Sequence, residues 1–126
     1  MRLLIALCLL LSINACVTTT ACTDQTTQSG LNQCVADKLA TSNQILNQQI
    51  QKLADIIPDD QSFIEANASW IMYRDAHCSS VANVYSGGSV YNYAFTRCQV
   101  ELTDSRINRL QSDYKDTIDI FTEGSP

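Results

Sequence analysis

From position 31 the chain passes from a polar run into a helical rhythm. Leu31, Val35, Leu39, Ser42, Leu46, Gln49 or Ile50, Leu53 and Ile57 recur at steps of three and four, which lines one face of an α-helix. The spacing predicts a first helix of about seven turns, with Gln and Asn on its solvated side. Pro58, Asp59 and Asp60 end it and offer a cap for the next. A second helix is predicted from about Gln61 to Val84 with two adjoining stripes. One runs through Phe63, Asn67, Trp70, Arg74, His77 and Val81, the other through Ile64, Ala68, Ile71, Asp75 and Cys78. SGGS (86–89) stops it, because Gly87 and Gly88 admit backbone angles that other residues avoid. Ser89 is placed to cap a third long helix through Ala94, Phe95, Cys98, Leu102, Leu110, Tyr114, Ile118 and Phe121. The β-branched residues do not alternate over enough positions to argue a strand. The expected fold is all-α, an antiparallel bundle of three long helices with short turns near Pro58 and Gly87.

The start of the chain reads differently. Met1, Arg2 and the apolar run LLIALCLLLSI (3–13) form a secretion leader too short to span a bilayer stably. Two cleavage points compete. Ile13, Asn14 and Ala15 before Cys16 resemble a bacterial lipoprotein box, making 1–15 the leader and Cys16 the lipidation site; Thr19, Thr20 and Ala21 before Cys22 fit ordinary cleavage of 1–21. The lipoprotein reading is preferred, although Asn14 is irregular in such a box. A diacylated Cys16 holds the protein on a membrane surface while the domain stays in water. Residues 16–30, including VTTTACTDQTTQSG, have little to bury and read as a polar tether; the helical domain occupies 31–122.

Cysteine usage agrees with export. Of the six cysteines, Cys8 lies in the leader and Cys16 is lipidated or removed, leaving Cys22, Cys34, Cys78 and Cys98. Four in a short exported chain imply two disulfides with three possible connectivities. A hairpin turning at SGGS lets Cys78 face Cys98, with Cys22 then clipped to Cys34; Cys34–Cys78 stays open. No CxxC pair exists and His77 is the lone histidine, so no metal or other cofactor is expected. Removing Arg2 with the leader leaves seven Lys and Arg against thirteen Asp and Glu, a balance of −6. Nucleic acid and anionic lipid are disfavoured, membrane contact is expected only through the lipid anchor, and a cationic protein would be attracted.

WIMYRDAHC (70–78) crowds an indole, a phenol, a guanidinium, a carboxylate, an imidazole and a sulfur into nine residues. As catalysis it is unconvincing: Asp75 and His77, two apart on a helix, diverge, and no serine sits in a strand-to-helix turn. Glu65, Asp75 and Glu101 have no evident cleft for glycoside chemistry. As structure it is better motivated. Trp70 and Tyr73 supply apolar area to a small core, Cys78 belongs to a staple, and Asp75 is expected to pair with Arg106 across helices two and three. Arg74 is left between burial and exposure, and His77 reads as a spectator. Asn67-Ala68-Ser69 matches a glycosylation sequon but lies mid-helix and is set aside.

LNQCVADKLATSNQILNQQIQKL, ANASWIMYRDAHC, GGS and RCQVELTDSRINRL together resemble the bacterial lysozyme-inhibitor LprI N-terminal-like domain family. The pattern falls on Leu31, Asn32 and Cys34; on Trp70, Tyr73, Arg74, Asp75 and Cys78; and on Cys98, Thr103 and Arg106, covering roughly residues 22–110. Leu31 stands where Met is frequent, and the first helix is richer in Gln and Ser than usual. The resemblance implies a small secreted or lipoprotein helical domain, and its local cysteine pairs favour Cys22–Cys34 and Cys78–Cys98. It also implies a non-enzymatic envelope protein, periplasm-facing, that binds a lysozyme-type muramidase and is a candidate inhibitor of it. The −6 balance suits such cationic enzymes. The alternative is an envelope interaction module with another periplasmic protein target. The candidate contact is YSGGSVYNY, where Tyr85, Gly87, Gly88, Ser89, Tyr91 and Tyr93 combine flexible backbone with aromatic hydroxyls.

Overall fold

The computed structural model describes residues 22–123, which form four α-helices and two short 3-10 turns, with no strand among them. Cys16 and the leader lie outside the described residues. The helices are α1 (Gln28–Ile56), α2 (Gln61–Ala82), α3 (Tyr91–Asp113) and α4 (Lys115–Glu123). α1 starts three residues ahead of Leu31 because Thr27 accepts from the Gly30 amide at 3.0 Å and caps it. Cys22, in the first 3-10 turn (Cys22–Asp24), is bonded to Cys34, which folds residues 22–27 back against α1. Gln25 lies over Gly30, where a Cβ would stand 2.7 Å from its flexible Oε1 and 3.1 Å from Thr27 Oγ1.

The turn between α1 and α2 follows the sequence closely. Ile57 donates its amide to the Leu53 carbonyl, Asp59 takes a left-handed φ of 62°, and Asp60 Oδ1 accepts from the Phe63 amide at 3.1 Å. Aspartate tolerates that backbone better than most residues. α2 ends at Ala82, and a 3-10 turn at Asn83–Tyr85 leads to the glycines. α3 begins at Tyr91 with Val90 as its cap, and Val90 makes no side-chain capping bond. Ser89 is therefore not the cap expected of it; the chain leaves the tight turn one residue later.

The three long helices run up, down and up. Phe63 meets Tyr114, Asn67 meets Arg106 and Cys78 is bonded to Cys98, so α2 opposes α3; Ser42 meets Asp104 and Leu53 lies near Leu110, so α1 and α3 share a direction. The core is Leu46, Leu53, Phe63, Ile107 and Leu110, with Ile50, Ile57, Trp70, Tyr114 and Ile118 packed around it. Each fully buried apolar side chain contributes about 1.5–3 kcal/mol. The third long helix expected through Phe121 is in fact two. At Tyr114 the backbone leaves helical values (φ −104°, ψ 13°) while its ring packs edge-on against Phe63, centroids 5.5 Å apart. The apolar stripe continues to Ile118, but no proline or glycine marks the break. None of these helices is long and apolar enough to cross a membrane.

Candidate functional site

Two regions hold the chemically distinctive residues, a polar layer inside the bundle and the glycine turn at one end. In the layer, Arg74 is 8 % exposed. It donates from Nε to Asp75 Oδ1 at 2.9 Å, and from Nη1 to Asn43 Oδ1 at 3.1 Å and Thr103 Oγ1 at 3.2 Å. One guanidinium thus ties α2 to both α1 and α3, using the planar donor fork that Lys lacks. Thr103 is fully buried. Asp75 also accepts from Gln99 at 2.8 Å. Burial works to raise the Asp75 carboxyl, but the bonds from Gln99 and Arg74 and the adjacent positive charge outweigh it and hold the group below its ordinary value.

The expected Asp75–Arg106 pair does not form. Asp75 is taken by Arg74 and Gln99, whereas Arg106 Nη2 donates to Asn67 Oδ1 at 3.0 Å, and its guanidinium carbon stands 5.8 Å from the Trp70 ring centre. Arg74 approaches the same ring at 5.3 Å, so the indole serves two cations. Tyr73 does not enter the core either: it is 55 % exposed and stacks on exposed His77. Arg74, rather than Tyr73, is the buried residue, because α2 buries Phe63, Asn67, Arg74, Cys78 and Ala82. That stripe lies between the two lines read from the sequence. Asn67 was legible only as a polar interruption of the apolar line, and its role depends on Arg106, thirty-nine residues away.

At the end of the bundle, Gly87 adopts φ 78°, the Gly88 amide donates to the Tyr85 carbonyl at 2.9 Å, and the Tyr91 amide reaches the Gly88 carbonyl at 3.3 Å. A Cβ on Gly88 would stand 3.2 Å from the Tyr85 carbonyl. The tip so formed exposes Tyr85 (46 %) and Val84 (80 %), with Val90, Ser86 and Ser89 beside them. Tyr91 and Tyr93 are half-buried and belong to the first turn of α3, Tyr91 lying parallel to Phe95 with centroids 6.2 Å apart. Sequence reasoning missed Val84 and Val90; two valines flanking SGGS in a stretch without other burial signals are the sign that was present. A shallow groove of about 730 Å³ runs along α1 and α3, lined by Gln33, Asp37, Thr41, Ser42 and Asp104 among others. Ser42 donates to Asp104 at 2.6 Å there. Among the described residues, no three His, Cys, Asp or Glu side chains are placed to hold a metal.

The disulfides are Cys22–Cys34 and Cys78–Cys98, with Cα atoms 5.7 and 5.5 Å apart, inside the range such bridges need. A small all-helical domain stapled at two points and organised around a Trp, Arg, Asp and Thr layer is the class these features define. Residues 19–110 match the family model described as Lysozyme inhibitor LprI, and the chain belongs to that family. No curated protein matches the chain, and no solved structure does.

Proposed function

We propose that this chain is a non-enzymatic envelope lipoprotein, anchored through a lipid on Cys16, whose helical domain binds a lysozyme-type muramidase and inhibits it by covering its cleft. The family match over residues 19–110 carries the reading. The −6 balance of the processed chain supports a cationic partner. Contact is assigned to the glycine turn, with Tyr85, Val84 and Val90 as the exposed anchor, Gly87, Gly88 and Ser89 shaping the backbone, and Tyr91 and Tyr93 behind it. A protruding tip with an aromatic hydroxyl suits entry into a concave site.

The deciding measurement is turnover of cell walls by a cationic lysozyme with the processed protein added at micromolar concentration, alongside calorimetry. Inhibition with a measurable heat of binding is expected. Unchanged turnover together with no binding would sink the proposal. Tyr85→Ala should weaken binding about tenfold or more without lowering the melting temperature, since the side chain is half exposed.

A further inference from the structure

Arg106 is the one residue of the polar layer whose charge is unanswered. Its side chain is half-buried between α2 and α3, and Nε is buried with no hydrogen-bond partner. Nη2 is held by the neutral Asn67, and among the described residues no carboxylate lies within ion-pairing distance. The surroundings add to the imbalance. Arg74 shares the Trp70 ring, and the carboxylate that answers Arg74 is turned toward Gln99. The layer therefore holds two guanidiniums but one carboxylate, which only Arg74 meets, within a molecule that is acidic overall. Withdrawing a guanidinium from water is costly unless a charged acceptor meets it; with Nε shielded from solvent, a carboxylate arriving from outside meets the guanidinium at its Nη1–Nη2 edge.

We infer that Arg106, with Trp70 and Asn67 positioning it, is a binding site for a carboxylate side chain carried by a cationic protein partner. The global charge selects the carrier. Free anions are repelled by the acidic surface, whereas a carboxylate on a positively charged protein is attracted at long range and meets the local guanidinium on contact. Trp70 matters because the indole stiffens and partly desolvates the guanidinium that receives it. The identity of the carrier as a muramidase rests on the function proposed above; the site itself does not.

Two tripeptides test the site on the intact disulfide-bonded protein: acetyl-Lys-Glu-Lys-amide and the Gln counterpart, matched in ionic strength. The Glu peptide should move the Arg106 Nε–Hε and Trp70 indole NMR signals saturably, in the millimolar range expected of one charged contact. The Gln peptide should leave both unmoved. Equal responses to the two peptides, or none to either, overturn the inference without any variant having to fold. Arg106→Lys, which keeps charge but loses the fork, should weaken the Glu-peptide response at least about fivefold; an undiminished response counts against it. A lysozyme that binds wild type and Arg106→Lys equally removes the muramidase carboxylate as the occupant, while leaving the muramidase reading intact. If lysozyme fails to bind wild type while the Glu peptide still discriminates, the function proposed above falls and the site stands.

Discussion

Arg74 shows how one side chain can decide the register of a small bundle. Its three acceptors come from Asn43 on α1, Asp75 on its own helix and Thr103 on α3. Arg74→Met would keep much of the apolar stem yet leave Asn43 and buried Thr103 without their donor. The expected loss is about 2–4 kcal/mol in chemical denaturation, because buried polar groups deprived of partners bear their desolvation in full; a loss below about 1 kcal/mol would contradict this role. Asp75 makes a separate prediction in pH. Its carboxyl is held below its ordinary value in the folded state, so the unfolded chain takes up the proton more readily. Its contribution is present above about pH 4 and is lost as pH falls through the folded value. Asp75→Asn should flatten the acid limb of a melting-temperature profile below about pH 4, and an unchanged limb would refute the assignment.

At the scale of elements, the turns were more legible than the packed faces. Asp60 lies after Pro58 and three residues before Phe63, where the apolar pattern resumes, and it caps α2 by accepting from the Phe63 amide. Asp60→Ala should lower the denaturation midpoint with unchanged slope, since the Phe63 amide loses its capping acceptor. The bonds from Ser62 and the Phe63 amide also hold its carboxyl below the ordinary value. The Cys78–Cys98 bridge closes the α2–α3 hairpin. Replacing both cysteines by Ser should cost about 2–4 kcal/mol, with the glycine turn exchanging its amides faster; equal exchange in both proteins would show that packing alone holds the hairpin. The break at Tyr114 and the unused cap at Ser89 were not legible. Both depend on contacts or turn geometry from outside the local pattern: the Phe63 ring in one case, and the left-handed Gly87 in the other.

At the scale of the molecule, the net negative charge bears on how the proposed partner would arrive. With a cationic lysozyme, the association rate should fall about tenfold or more between roughly 50 and 500 mM NaCl, since screening shortens the field to a few ångströms. Stopped-flow rates that ignore salt would remove electrostatic steering from the proposed function. Among the apolar residues exposed on α2, Ile64 and Ile71 belong to a stripe the apolar pattern assigned, whereas Met72 (73 %) belongs to neither. They are outside because α2 turns the Phe63, Asn67, Arg74 and Cys78 line toward its neighbours.

Helical period, turn chemistry, an even cysteine count and a net negative charge are local or additive properties, and the sequence by itself determined them: an all-α chain, turns at Pro58 and Gly87, and two staples. Its motif residues also pointed to the family that the match over 19–110 shows. Which polar groups meet was decided only in three dimensions. Asp75 and Arg106 carry opposite charges, so attraction alone would pair them, yet Arg74 is adjacent to Asp75 and Asn67 presents its oxygen to Arg106. Pairing depends on helix rotation to within a fraction of a turn, a quantity set by the packing of α1, α2 and α3 together.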